Sequence, residues 1–270
     1  MRVLAWAKNP SRIGDQLLVS AAIASVVMVV VVPEKIAEAS VGTSVVSTST
    51  LPILVNRGFE SWIASGSSTP AVELQVAAKF WCIFHVAKLA VATVSFVVFA
   101  LLLRRLWKTY VLAAASHRRS LSAFVMPAVA ACTALLLLVI IANIQGSFAP
   151  LTSVLSFLPR DHTTPAMEVL QDQLASGVLT PTSRLLLSDF WLFHAVVVVC
   201  SAAVVVGLVV TGLLVWMRWA NRLLAPTCGI ARIGLALTAS AVFMGVVLLA
   251  NLSTVLEPLP ALSSFLSGSL

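Results

Sequence analysis

Five apolar stretches dominate this chain of 270 residues, at 17–32, 80–103, 124–142, 190–217 and 233–250. A bilayer crossing takes about 20 apolar residues. Within lipid, backbone N–H and C=O groups must be satisfied without water, which favours helices. The expected fold is therefore an all-α integral membrane protein with five transmembrane helices. The second and fourth stretches exceed the minimum and are expected to tilt. Only 10% of the residues are charged, against roughly a quarter in a soluble domain. A mean hydropathy of +1.03 leaves too little polar surface for water.

The spans divide one membrane domain into alternating segments, and the charges sort between them. Segments 1–16, 104–123 and 218–232 hold Arg2, Lys8, Arg12, Arg104, Arg105, Lys108, Arg118, Arg119, Arg218, Arg222 and Arg232, with Asp15 as their only acid. Segments 33–79, 143–189 and 251–270 hold the other nine of the ten acids and only five bases. Basic loops stay cytoplasmic. The expected orientation has the N-terminus inside and the C-terminus outside, in a cell membrane. The net charge of +7 forms no single stripe, and nucleic acid is not an expected partner. The bases fit anionic head groups of the lipid bilayer better. Arginine outnumbers lysine and Ala and Val abound, a composition that hints at a GC-rich bacterial genome and an inner membrane.

The first stretch has two readings. Arg2, Lys8 and Arg12 followed by an apolar run and Ala37-Glu38-Ala39 resemble the parts of a cleaved signal peptide. As the alternative it is a retained anchor, the partner of similar segments in an internal repeat.

That repeat is read from matches in constant order. Phe84-His85 recurs as Phe193-His194, Trp107 as Trp216, and Phe80-Trp81 as Phe190-Trp191. Ala142-Asn143 recurs as Ala250-Asn251, Pro150-Leu151 as Pro258-Leu259, and Phe157-Leu158 as Phe265-Leu266. Thr69-Pro70-Ala71-Val72-Glu73 resembles Thr164-Pro165-Ala166-Met167-Glu168. About two and a half helix-pair units result. Equivalent helices run the same way, so the repeat is parallel.

Short helices are expected on the outer face. Thr69 and Thr164 are suited to N-capping, the following Pro to N1, and the early Glu to the helix dipole. Gly177 is a stop signal. Segments 150–158 and 258–266 are apolar pieces expected along the interface. Segment 41–50 reads as a loop or short extended piece, and Gly66-Ser67-Ser68 as a loop.

His85 and His194 occupy equivalent positions about one turn inside the spans. They could ligate a haem iron or copper, or bond a quinone carbonyl. The plainer reading places them in an aromatic belt with Phe80-Trp81 and Phe190-Trp191. Lys88 is the only charge deep in a span, one turn from His85. An intramembrane charge is costly and points to function by default. Its plainer reading is snorkelling. Its conceivable partners are Asp189, a helix-end carbonyl or an anionic ligand. Asn143 and Asn251 end their spans and either bond between helices or cap them. Ala236-x-x-x-Ser240 and Ala241-x-x-x-Gly245 would let the fifth helix pack closely on a neighbour.

Cys82, Cys132 and Cys200 lie in spans and Cys228 in an inner loop, which favours neither disulfides nor zinc. The sequence holds no P-loop, G-x-S-x-G, H-E-x-x-H or intramembrane carboxylate pair. Asp161-His162 and Ser153 define no triad.

Three functions follow. The leading one is a non-catalytic accessory or assembly subunit that binds another membrane protein or its own copy. The second is a carrier or binding protein for a lipid, quinone or small amphiphile, with His85, Lys88, His194, Asn143 and Asn251 around a site between the second and fourth spans. The third is a bis-histidine haem electron carrier. No cofactor is favoured.

Overall fold

The computed structural model describes residues 10–41, 46–112, 117–159, 164–220 and 228–268. They form nine α-helices and one 3₁₀ turn, with no strand among them. The long helices are α1 (Pro10–Val41), α3 (Val72–Leu112), α4 (His117–Phe148), α7 (Pro181–Ala220) and α8 (Cys228–Leu256). The short ones are α2 (Leu51–Ser65), α5 (Pro150–Val154), α6 (Pro165–Ser176) and α9 (Pro258–Leu266); the 3₁₀ turn is Leu155–Phe157. The five long helices are each apolar and long enough to cross a membrane. The chain is thus an all-α, multi-pass membrane protein in contact with lipid.

Every expected apolar stretch lies inside one of these helices, and each helix runs past it. Helix α3 has 41 residues and α7 has 40, about 60 Å each at 1.5 Å per residue. That is about twice the ~30 Å hydrocarbon core. Backbone hydrogen bonding continues into flanking polar sequence because nothing there breaks it. Cys228, expected in a loop, is the first residue of α8. Arg2, Lys8, Arg222, Asp161 and His162, and part of segment 41–50, lie outside the described residues.

Two compact units divide the chain. The first takes residues up to Ser47 together with Phe80–Ser147. In it α1, α3 and α4 pack around Ala22, Phe99, Val129 and Leu136, flanked by Phe96, Leu102 and Leu106. Small residues bring α1 and α3 together. Ser95 is fully buried and donates to Ser25 O at 3.3 Å and Val91 O at 2.8 Å. At the far end, Arg105 Nε meets Asp15 Oδ1 at 2.6 Å. Ala37 is wholly buried inside α1.

The second unit takes Thr48–Lys79 and Phe148–Leu270. Helices α7 and α8 form an antiparallel hairpin, and α2, α5, α6 and α9 pack at its α7 N-terminal end. Leu51, Val55, Phe59 and Trp62 of α2 share a core with Leu74, Val154, Leu170, Leu186, Phe190 and Leu262, all nearly inaccessible. Gly58 is required where α2 crosses the start of α3, since a Cβ there would collide with Leu74. Trp62 Nε1 and Thr182 Oγ1 both donate to Ser67 O, at 2.9 and 2.6 Å.

Some expectations hold and others need adjustment. Thr164 does cap α6, accepting from Met167 N at 3.4 Å, and α6 stops at Gly177 with φ 71°. Thr69-Pro70 starts no separate short helix; α3 begins at Val72 and continues through the span. The short helix preceding it is α2, which ends at Gly66 with φ 62°. Thr180-Pro181 stands in a similar local setting: Thr69 and Thr180 each lie three residues beyond a left-handed glycine, close to the start of a long helix. Last, the small-residue spacings on α8 do not make its close contact. Ala236 and Ser240 are exposed and a Cβ on Gly245 would meet open space. The tight approach is Gly234 against the Trp216 indole.

Candidate functional site

Each hairpin is closed by one histidine and one asparagine. In the first unit His85 Nδ1 lies 2.8 Å from Asn143 Oδ1, joining α3 to α4. In the second, His194 Nδ1 lies 2.8 Å from Asn251 Oδ1, joining α7 to α8. The asparagine amides are oriented identically. Asn143 Nδ2 donates to Val139 O at 2.6 Å, and Asn251 Nδ2 to Val247 O at 2.8 Å. With the amide nitrogen committed to its own helix, Oδ1 must face the imidazole as acceptor. The proton of that bond therefore sits on Nδ1 in both histidines.

This arrangement decides between the two roles weighed for the asparagines. Helix α4 continues to Phe148 and α8 to Leu256, so neither residue stands at a helix end. Both bond between helices. Asn143 is buried, and an unsatisfied amide there would cost more than the bond returns.

The aromatic residues named in the sequence surround the imidazoles. Phe80 and Phe190 are buried, while Trp191 is exposed. Trp81 stacks on Phe84 at 4.7 Å and meets the His85 ring edge-on at 4.9 Å. Phe190 packs against His194 at 4.7 Å. Aromatic rings thus flank the imidazole of each clamp.

The two hairpins differ in three places. His85 lies directly on Gly146, its ring filling the space a Cβ would take. The corresponding residue after Asn251 is Thr254, which bonds back to Ala250 O. Cys82 Sγ approaches Ser147 O at 3.6 Å, where the second hairpin has no cysteine. Lys88 stands with its ammonium 5.1 Å from the Phe84 ring centre, whereas Val197 at the matching position is buried.

The geometry bears on metal chemistry. An iron-ligating histidine usually donates from one nitrogen and presents the other to the metal. Gly146 packs against the face of the His85 ring, whereas a metal on Nε2 would lie in the ring plane. Among the described residues, no three His, Cys, Asp or Glu side chains converge.

Asp189, at the head of the fourth span, has a structural task. Its Oδ2 accepts the Thr152 N–H at 2.7 Å. That N–H belongs to the first turn of α5, whose own cap position is Ala149 and offers no side-chain acceptor. The carboxylate thus caps a helix from outside it.

Helix α2, which has no counterpart among the sequence expectations, borders two open grooves of the second unit. Pro52, Ile53, Asn56, Arg57 and Glu60 line an open groove of about 540 Å³ with Phe157 and Pro159. Glu60, Ile63 and Ala64 line a second of about 330 Å³ with Pro165, Ala166 and Val169. Arg57 and Glu60 are exposed between them. No family model, curated protein or solved structure matches the chain.

Proposed function

We propose that the protein is a non-catalytic accessory or assembly subunit of a bacterial inner-membrane complex, built as a parallel repeat. One observation carries this reading. Three polar contacts inside the long helices hold helices together: His85 with Asn143, His194 with Asn251, and Ser95 with Ser25; Lys88 is the conspicuous polar group not used in this way. A catalytic or conducting site keeps such groups facing substrate. The short helices expose charges of both signs, among them Arg57 and Glu60 of α2 and Glu168 and Asp172 of α6.

Several features support the repeat. The histidine–asparagine clamp occurs in both hairpins at the same length. Gly66 and Gly177 close α2 and α6 in the same left-handed conformation. Ala149 and Glu257 precede α5 and α9 with nearly identical dihedrals, φ −128° and ψ 68° against φ −129° and ψ 66°. Two units, each a short helix, a hairpin and a proline-led short helix, follow a leading helix α1. In this reading α1 is a retained part of the bundle, because Ala22 and Ser25 are buried against α3 and α4 residues.

The orientation follows the charge pattern, with the N-terminus cytoplasmic and the short helices outside. The Asp15–Arg105 pair supports placing both residues on one face. The partner, another membrane protein or a second copy of this chain, would meet the exposed side of α2. The test is purification in mild detergent with mass spectrometry of whatever co-elutes. A stoichiometric partner, lost when Arg57 and Glu60 are exchanged in charge, is the expected result. A lone monomer that transports or turns over a substrate by itself would refute the proposal.

A further inference from the structure

The geometry points to Lys88 as the anchor of an acidic amphiphile, a carboxylate or phosphate head group on an acyl chain, held on the first hairpin. Lys88 sits inside the apolar run that opens at Phe80. A helical side chain leans toward its own N-terminus, and that of Lys88 does so, bringing the ammonium over Phe84. Phe84 is four residues from Phe80, or about 6 Å along the axis. The charge therefore lies just below the border of the apolar layer, at a depth an acidic head group can reach.

Nothing in its own unit neutralises it. Helix α4, and α3 from Phe80 onward, contain no acid. The acids of the unit, Asp15, Glu34 and Glu38, are all on α1; Asp15 is bridged to Arg105 and Glu38 to Lys35. Among the described residues Lys88 enters no hydrogen bond or ion pair, only the contact with Phe84. A membrane-embedded charge left so is expensive and acts by default as a ligand for something outside the protein.

The architecture does not demand the lysine. The second hairpin keeps the clamp and has Val197 buried in that place. In the neighbouring clamp Nδ1 and Oδ1 are used on each other, so Lys88 is the group there that carries a charge for a ligand. The site is thus narrower than a ring of five polar residues. It asks for an anion on a hydrophobic tail, and a neutral quinone lacks the charge.

The experiment uses the purified full chain in phosphatidylcholine nanodiscs. Photoactivatable probes are added: a long-chain fatty acid, its methyl ester, phosphatidylglycerol and phosphatidylcholine. Cross-links on the peptide spanning 80–103 are read by mass spectrometry. An acidic probe should label it about tenfold above the ester or phosphatidylcholine, a difference of ~1.4 kcal/mol. K88M should abolish that excess and K88R should keep it. A free-acid preference over phosphatidylglycerol identifies a fatty acid, and the reverse a phospholipid head group. Equal labelling by acid and ester in the unaltered protein overturns the proposal without any variant. So does an excess that K88M leaves intact, or one confined to the end bearing Arg104 and Arg105. No partner protein is involved, so failure here leaves the subunit reading standing.

Discussion

At the scale of single residues, the clamps invite quantitative tests. Interhelix hydrogen bonds in membranes average about 0.6 kcal/mol and reach about 1.7. His85→Ala and Asn143→Ala should each destabilise the fold, and the double variant should lose less than their sum, with a coupling near 1 kcal/mol. Reversible unfolding in mixed micelles measures it; additive losses would refute the clamp. Gly146→Ala forces a methyl group into the His85 ring and should cost about 1–3 kcal/mol as overpacking. The cost should shrink in a His85→Ala background, where the ring is gone. Thr254→Ala, at the matching position of the other hairpin, should be mild. The sequence made His85 and His194 equals and did the same for Asn143 and Asn251. It associated histidine with histidine, whereas each imidazole bonds an asparagine. A repeat offset reveals which residues are equivalent, and equivalence carries no information about adjacency. Adjacency followed from a different fact: the open ends of a helical hairpin, remote from its loop, lie side by side.

At the scale of elements, punctuation was legible where it stood alone and was misread where it was shared. Thr164, Pro165 and Gly177 bound α6 as expected. Thr69-Pro70 carried the same signature but leads into α3, because the apolar periodicity behind it never stops. Helix α2 was legible in principle. Pro52 stands at its start, Gly66 at its end, and Leu51, Val55, Phe59 and Trp62 recur at helical spacing. Its length falls short of a span, so an eye tuned to long apolar runs passes over it. Gly66 and Gly177 have open space around them, so alanine there pays only for the backbone conformation. Gly66→Ala and Gly177→Ala should each cost about 1 kcal/mol. Thr164→Ala should cost a similar ~1 kcal/mol through its lost cap. Hydrogen exchange across α2 and α6 would report each locally, and an unchanged α6 in Thr164→Ala would deny the cap its role.

For the whole molecule, five spans and their order were readable because lipid imposes one length and one backbone solution. The tertiary detail was not, since an apolar surface facing lipid and one facing a neighbouring helix have the same composition. Orientation can be tested by labelling. In a cysteine-free background, S176C should react with a membrane-impermeant maleimide added outside, and K108C only after the membrane is opened. The opposite pattern would reverse the proposed topology. The core of the second unit also has a bearing on how the protein comes into being. Its helices α6 and α7 precede α8 in the chain, yet they pack against α9, which follows it, with Phe190 and Phe265 at 6.1 Å. The first hairpin can close its clamp as soon as α4 has been threaded. The packing of α6 and α7 on α9 must wait until the fifth span is in place and α9 has emerged. A ribosome paused before α9 would leave the side of α7 that bears Phe190 uncovered, a state that chaperones and proteases can recognise.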